Sequence, residues 1–521
     1  MKKRYSMSFL QKDLKQFQEK GISPEQVQNQ LNLLIKGNQP VKLIDNASVQ
    51  KGILPLDDKQ TKLYSELFSK EKDQYNLEKF VPASGAASRM FKDWIYFHDH
   101  FIPGKDFYKR FVKHNKLQNM EAEAEDFIDE ISGYAFYEDL MKVIKENEPG
   151  FFQLEDSEQV YKFIHYILSP EGLNYQNLPK MFLKFHRYGK EKSMTPMEEQ
   201  IIEAIDHTQN AGQKAKVHFS ISPAHETLFK KYKEEYEEKY PVMISYSFQK
   251  PSTDAIMLDE KNEILRDENG NIIFRPGGHG ALLENIQELD SDLIFIKNID
   301  NVQKGEKKKD TLLYKKVLAG KLIELLQKRN AFLQQLEKEK PIGEELQKIE
   351  DFAKNELNIR FIDGYETLNN SGKRKYLYYK LNRPVRVAGM VKNTGEPGGG
   401  PFWALDKNGI KSLQIIEKSQ IDLDQPKQKE LLENSTHFNP VDLVIHIKDH
   451  KGKKYDLKEF VNENTAFISQ KTYGSQNVKV YEHPGLWNGS MDGWNTVFVE
   501  VPLSTFSPVK TVTDLLKPSH Y

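Results

Sequence analysis

The run Asp292-Leu293-Ile294-Phe295-Ile296-Lys297-Asn298-Ile299-Asp300 constrains the fold more than any other stretch of the chain. It is nearly continuously apolar before it turns polar, which is the pattern of a parallel strand buried on both faces. Residues 216–221 (KVHFSI) read as a second strand, and Ser222-Pro223 opens a helix behind it with a cap and a first turn. Residues 242–248 (VMISYSF) alternate as a strand should. Strands alternating with helices predict an α/β sheet. Hydrophobic residues make up 38% of the 521, enough to build cores, so a wholly disordered chain is excluded. The length fits about three domains, or one large domain with additions.

Four regions differ in character. Residues 1–75 read as a helical N-terminal region. Within it Ser23, Pro24 and Gln26 form a cap, a first helical position and a capping box, Val27, Leu31 and Leu34 share one face, and Gly37 follows as a stop. Residues 76–305 read as the α/β core, interrupted over 91–174 by an insertion rich in aromatics and acids at helical spacing. A helical excursion over 306–357 carries the stripe Leu318, Leu322, Leu325, Leu333 and Leu336. The lysine cluster of 304–309 at its start reads as a solvated loop. From about 358 to 521 the chain becomes rich in strands and turns. It has no internal repeat and no low-complexity segment.

Composition narrows the partners. With 75 Lys+Arg against 76 Asp+Glu the formal net charge is −1, so there is no basic field to attract nucleic acid or an anionic membrane. The absence of cysteine removes disulfides, thiolate catalysis and Cys-ligated zinc. The basic N-terminus has its apolar stretch cut by Gln11, Lys12 and Asp13, unlike a signal peptide. No run approaches the ~20 apolar residues that span a bilayer. The expectation is a soluble, cytoplasmic protein.

Chemistry concentrates at a few junctions. Residues 82–90 (PASGAASRM) join a strand to a helix, and their small side chains let backbone N–H groups approach an anion, with Arg89 as a charged fork in the same turn. Tight packing alone explains such a turn equally well. The loop matches neither a P-loop nor a dinucleotide fingerprint. Ser371-Gly372-Lys373 reads as a turn. Lys180, after Leu178-Pro179, can reach a phosphate or simply lie on the surface. Residues 275–280 (RPGGHG) offer backbone groups to a flat ligand edge. Asp300 ends the buried strand, where open α/β sheets bind ligands, and a carboxylate there suits Mg²⁺ shared with substrate phosphates. The alternative is a helix-capping Asp.

Taken in order, these segments resemble the UTP–hexose-1-phosphate uridylyltransferases, the UDP-glucose and UDP-N-acetylhexosamine pyrophosphorylases of the GT-A nucleotidyltransferase superfamily. PASGAASRM resembles their glycine-rich signature, with Ser84 and Ala87 standing where the family usually has Gly, and Pro179-Lys180 resembles the Pro-Lys that completes it. Arg89 and Lys180 lie far beyond the usual short spacing, so an insertion of helices sits in that loop. Residues 217–232 look like the family's strand and following helix, and Phe248-Gln249 like its F-x-Q. RPGGHG resembles the uracil-binding turn, residues 295–301 (FIKNIDN) the metal strand, and 414–421 (QIIEKSQI) a segment that meets the sugar. Residues 506–516 (FSPVKTVTDLL) are similar to the family's C-terminal motif. The whole chain also resembles an uncharacterised bacterial domain family placed near these enzymes.

The resemblance implies a GT-A, Rossmann-like mixed sheet flanked by helices, and an Mg²⁺-dependent nucleotidyltransferase that joins UTP and a sugar 1-phosphate into a UDP-sugar and pyrophosphate. Ser84, Gly85 and Ala86 would cradle the triphosphate with Arg89. Lys180 and Lys510 would neutralise phosphate charge, and Asp300 would hold the metal. Gly278 and His279 would read uracil with Gln249. Glu417 would take sugar hydroxyls. From the residues themselves, the loop 391–403 mixes glycines, a carboxylate and aromatics, as a carbohydrate pocket does, which adds Asn393, Gly395 and Glu396. The loop 483–489, leading to Trp494, has the same mixture. In both, the other reading is an ordered turn whose Trp fills the core. Two other functional classes fit the same fold: a non-catalytic sugar-nucleotide binder and a GT-A glycosyltransferase. For the latter, the D-x-D usual in such enzymes is absent at 298–301.

Overall fold

A computed structural model describes residues 9–189, 192–338, 340–395, 398–474 and 476–521. The chain divides into two units, each assembled from three segments. The first runs to Phe80 and resumes over Ser247–Ile296 and Leu313–Leu503; the second comprises Val81–Tyr246, Lys297–Leu312 and Ser504–Tyr521.

The first unit is built on a large mixed sheet. Its strands lie in the order Ser48–Val49, Gly52–Leu54, Asn495–Glu500, Val385–Lys392, Asp442–His446, Leu293–Lys297, Leu77–Pro82. Val385–Lys392 runs parallel to Asn495–Glu500 and antiparallel to Asp442–His446, whereas Leu293–Lys297 and Leu77–Pro82 are parallel. Every residue of Leu293–Lys297 is buried: the apolar run Leu293–Ile296 predicts this, and Lys297 is buried in an ion pair with Glu203 at 2.8 Å. The helix Pro24–Lys36 begins where its cap places it: Ser23 Oγ accepts from Gln26 N at 3.1 Å, and Gln26 Oε1 accepts from Ser23 N at 2.7 Å. The helix Lys309–Lys338 buries the Leu318–Leu336 stripe and also Val317, Ala319, Ile323 and Leu326, so its middle is core on several sides.

The second unit contains the insertion. Helices Lys92–His100, Tyr108–His114, Ala124–Ile131, Tyr137–Asn147 and Asp156–Leu168 surround one aromatic-rich core, with Phe91, Trp94, Phe97, Tyr134 and Phe136 at its centre. That core is closed by residues distant in sequence, among them Val302, Val509, Val512 and Leu515. The strands Ala215–Ile221 and Val242–Phe248 lie side by side, joined by the helix Glu226–Lys239.

Three local expectations change. The first 75 residues are not helical throughout: Leu43–Asn46, Ser48–Val49 and Gly52–Leu54 are strands, too short to show a period of two in the sequence. Ser371-Gly372-Lys373 is the first turn of the helix Asn370–Leu381, because Asn369 caps it by accepting from Gly372 N at 2.9 Å. The 304–309 cluster is solvated only in part: Glu306, Lys307 and Lys309 are exposed, but Gly305–Lys308 form a 3₁₀ turn rather than an irregular loop. Lys308 is largely buried and pairs with Glu199 at 2.7 Å, and Lys309 opens the long helix. Among the described residues, no helix is long and apolar enough to cross a membrane.

Candidate functional site

Within the second unit, the residues predicted to handle phosphate come together around one carboxylate. Asp300 stands three residues beyond the strand Leu293–Lys297, and its Oδ2 accepts from Lys180 Nζ at 2.9 Å and Lys510 Nζ at 3.2 Å. Asp300 is 6% exposed. Burial pushes its carboxyl up, but the charges of Lys510 and Lys180 outweigh this and hold it below the usual carboxylate range. Lys180 is mostly buried, and its ammonium also donates to the carbonyl of Val509 at 2.6 Å; the Lys510 side chain is 46% exposed.

The backbone sets this constellation. Val509 N donates to the Asp300 carbonyl at 3.0 Å, and Asn301 Oδ1 accepts from Ser507 N at 2.9 Å, fixing the C-terminal segment beside Asp300. Asp514 Oδ2 accepts from the backbone N–H groups of Lys510 and Thr511, both at 2.7 Å, and so holds the turn that carries Lys510. Asn301 and Asp514, which stand inside the 295–301 and 506–516 motifs but have no role assigned from the sequence, are positioning residues. The T-x-x-D spacing of Thr511 and Asp514, a capping-box signature, is the signal that finds the second.

The small-residue turn lies against the same lysine. Lys180 N donates to the Gly85 carbonyl at 3.4 Å, Ala87 N donates to Leu178 O at 3.2 Å, and Ala86 bridges Pro179. The 90 residues between Arg89 and Lys180 therefore leave and return to one place, and the helical insertion is the excursion between them. Ser84, Gly85, Ala86 and Arg89 are exposed, and a Cβ on Gly85 would meet no atom within 4 Å, so the turn is open to an incoming group. A three-residue 3₁₀ turn, Ala87–Arg89, precedes the helix Lys92–His100, so Arg89 is set before the helix proper. Arg89 makes no hydrogen bond or ion pair among the described residues.

The donors suit an anion better than a bare cation. Two ammonium groups occupy Asp300 Oδ2, while Oδ1 carries no hydrogen bond among the described residues. One carboxylate oxygen is thus left for a metal that would draw its other oxygens from water and phosphate, as Mg²⁺ does. Among the described residues no group of three or more His, Asp or Glu could hold a metal by protein ligands alone.

The residues predicted for base and sugar lie in the first unit. Gln249 follows the strand Val242–Phe248, and its Nε2 is buried without a hydrogen-bond partner. Gly278 has φ +79°, and a Cβ there would meet the Glu482 carboxylate at 2.9 Å, so the turn needs glycine on both grounds. His279 Nδ1 accepts from Leu486 N at 3.2 Å, and its ring lies 4.6 Å from that of Trp487. Burial lowers its imidazole to about 4, so it is neutral. The structure thus engages His279 in holding the 483–489 turn.

Asn393, Gly395 and Glu417 line an open cavity of about 1130 Å³ together with Gly398, Gly400 and His437. Asn393 Oδ1 accepts from Gly395 N at 2.9 Å, and burial with the nearby Glu482 raises the Glu417 carboxyl. Glu396 lies outside the described residues. Trp403 and Trp494 fill the core: each is nearly fully buried, and Trp403 Nε1 donates to the Lys51 carbonyl at 3.0 Å.

Among solved structures the chain is similar to a uridine diphosphate N-acetylglucosamine pyrophosphorylase from Trypanosoma brucei (TM-score 0.45, 11% identity, covering 93% of this chain and 72% of that one). It is also similar to a mutant UDP-glucose pyrophosphorylase from Leishmania major in complex with UDP-glucose (0.44, 12%, 98% and 79%). A third is a UDP-glucose phosphorylase from Trypanosoma brucei (0.44, 13%, 97% and 77%). No curated protein matches the sequence. A family model described as "Domain of unknown function (DUF4301)" matches residues 10–521, and the chain belongs to that family.

Proposed function

We propose that the protein is a nucleotidyltransferase that joins a nucleoside triphosphate, UTP, to a sugar 1-phosphate, releasing pyrophosphate. The observation that carries this reading is the convergence of Lys180 and Lys510 on the buried Asp300, beside the open backbone turn of Ser84–Ala86. Two ammonium groups sharing one carboxylate oxygen keep spare positive charge for a phosphate, and the exposed turn supplies backbone donors. The order of sequence motifs adds support.

In this reading an oxygen of the sugar phosphate attacks the α-phosphorus of UTP in line. A new P–O bond forms, the bond from the α-phosphorus to the α,β-bridging oxygen breaks, and pyrophosphate leaves with that electron pair. Positioning and charge stabilisation carry such a transfer. The Ser84–Ala86 backbone and Arg89 hold the outgoing phosphates, and Lys180 and Lys510 neutralise the transferring and sugar phosphates. Asp300 orients both lysines through Oδ2 and would hold Mg²⁺ through Oδ1. The bound ion would act as template and Lewis acid. Gln249, Gly278 and His279 would serve the base, and Asn393, Gly395, Glu396 and Glu417 the sugar hydroxyls.

The test is release of pyrophosphate by the full chain with Mg²⁺, each nucleoside triphosphate and a panel of sugar 1-phosphates. UTP-dependent release that falls at least about tenfold in both Lys180→Ala and Asp300→Asn is the expected result. Full activity in both variants would remove these residues from the site. UTP binding without pyrophosphate release would replace the enzyme with a sugar-nucleotide binder.

A further inference from the structure

A second polar cavity, lined wholly by residues of the first unit, belongs to none of the roles above. Its space is about 40 Å³, against the roughly 10–15 Å³ that one water molecule requires. That is room for a few waters or one tetrahedral oxyanion, and far too little for a nucleotide. Lys380 and Arg383, on and just past the helix Asn370–Leu381, form one wall. Asp406, with Lys411 at the start of the strand Lys411–Glu417, forms another. Asp492 and Trp494 close the back, and Arg360 lies at the rim.

The charges here are not matched internally. Lys380 is 4% exposed, yet its ammonium has no ion pair or hydrogen bond among the described residues; what it faces is the Tyr376 ring, 5.7 Å away. A buried ammonium left so is costly. Burial, with the neighbouring Arg383 charge, lowers Lys380 to about 8, and Asp406 offsets this only in part. Trp494 Nε1 is buried with no acceptor. Arg383 donates to the carbonyls of Tyr379 and Gly493 through Nε and Nη1, and its Nη2 makes no hydrogen bond among the described residues.

The acids are committed elsewhere. Asp406 Oδ1 accepts from the backbone N–H groups of Asn408 and Ile410, and Asp492 accepts from Lys407 N and Asn462 Nδ2. At the rim, the Arg360 guanidinium and the Lys411 ammonium rest over the Trp403 ring at 4.6 and 5.0 Å, neither in an ion pair among the described residues. Four cations thus line this small space beside two carboxylates, and Lys380 and Arg383 both keep unmet donor capacity there.

We propose that this cavity binds a small tetrahedral dianion, inorganic phosphate, with Lys380 and Arg383 as its donors and Arg360 and Lys411 closing over it. A phosphate monoester presents the same head group and is the other source of the same chemistry. The site is independent of the Asp300 constellation, since it shares no residue with it.

The test is calorimetric titration of the full chain with inorganic phosphate at constant ionic strength, with methyl phosphate and chloride as parallel arms. Saturable binding in the wild type and in Lys180→Met, weakened at least about tenfold in Lys380→Met by the loss of a charge-assisted hydrogen bond, is the expected result. Phosphate bound in preference to methyl phosphate assigns the free ion; the reverse assigns a monoester. Lys380 loses its proton above about 8, so phosphate affinity is expected to fall between pH 7 and pH 9. Phosphate itself becomes more fully dianionic over that range, which opposes the loss at Lys380 and makes the net fall smaller; a net rise from pH 7 to pH 9 would contradict the assignment. No saturable binding, or binding unchanged in Lys380→Met, overturns the proposal and leaves a water-filled cavity. Should Lys380→Met fail to fold, the double variant Arg360→Ala with Lys411→Ala decides the matter, and an unchanged Kd in it also overturns the proposal.

Discussion

Asp300 shows how one residue carries both stability and the proposed chemistry. Because its carboxyl is held below the usual range, its contribution is present above the unfolded value near 4 and is lost as pH falls through the folded one. Asp300→Asn leaves Lys180, with 13% of its side chain exposed, without its counter-charge, and Lys510 at 46% exposed with water as an alternative. Removing one partner of a fully buried pair costs about 3–5 kcal/mol, and the half-exposed Lys510 lowers the expectation here to about 2. Urea unfolding at pH 7 checks the figure. The difference from wild type should shrink as pH falls below about 4, where the unfolded carboxyl takes up a proton that the native one, held lower, resists, and a difference constant down to pH 2 would refute the account.

Three histidines set a second acid response. His279 and His446 are each lowered by burial to about 4, and His520 to about 3 by burial and the adjacent His186. His446 Nδ1 donates to the Asp292 carbonyl at 2.7 Å, and its Nε2 is buried with no partner, so the neutral ring is the native one. A folded pKa below the unfolded ~6.5 gives stability that is full above that value and lost as pH falls beneath it. At about 1.4 kcal/mol per group per pH unit, stability should drop by about 4 kcal/mol from pH 7.5 to pH 5.5. Urea midpoints at the two pH values measure it, and equal midpoints would show that these rings take up protons without strain. The sequence announces none of this, because a histidine's burial depends on partners hundreds of positions away.

At the scale of elements, local chemistry was legible and close approach was not. The Ser23-Pro24-Gln26 cap, the nearly all-apolar strand before Asp300 and the leucine stripe of Lys309–Lys338 follow from spacing alone. Gly320 within that helix does not. A Cβ there would lie 1.9 Å from the Tyr64 carbonyl of the helix Asp58–Glu71, so the two helices cross at a backbone-to-backbone contact. Alanine would add about 1 kcal/mol of helix propensity, but overpacking against an atom that cannot swing away costs about 1–3 kcal/mol or more. The 1.9 Å approach to a backbone atom puts the cost at the upper end of that range, so Gly320→Ala is expected to lower stability by about 2 kcal/mol. A melting temperature at or above wild type would show that the helices separate freely. The candidate site divides likewise. Lys180, Asp300 and Lys510 were readable as motif positions, but their shared carboxylate oxygen needed the structure, as did the engagement of His279 by the 483–489 turn and the burial of Trp403.

At the scale of the molecule, the second unit is completed by the last residues of the chain. Val509, Val512 and Leu515 enter the aromatic core of the insertion; Lys510 pairs with Asp300; and His520 Nδ1 lies 2.9 Å from His186 Nε2, whose ring is held on its other side by Glu199 at 2.7 Å. Burying three such aliphatic side chains contributes about 5–9 kcal/mol, an amount comparable to the ~5–15 kcal/mol net stability of a typical domain. Truncation after Leu503 is therefore expected to unfold the second unit and spare the first, whose sheet uses no residue beyond Glu500. Hydrogen exchange separates the two. Amides in helices Lys92–His100 through Asp156–Leu168 should lose protection, while those in Val385–Lys392 and Asn495–Glu500 keep it. Protection retained in those helices would show that the insertion folds by itself. Loss in both regions would show that the two units unfold as one cooperative body. Only the first pattern fits a chain in which the proposed catalytic lysine and the closing of a hydrophobic core arrive on the same final segment.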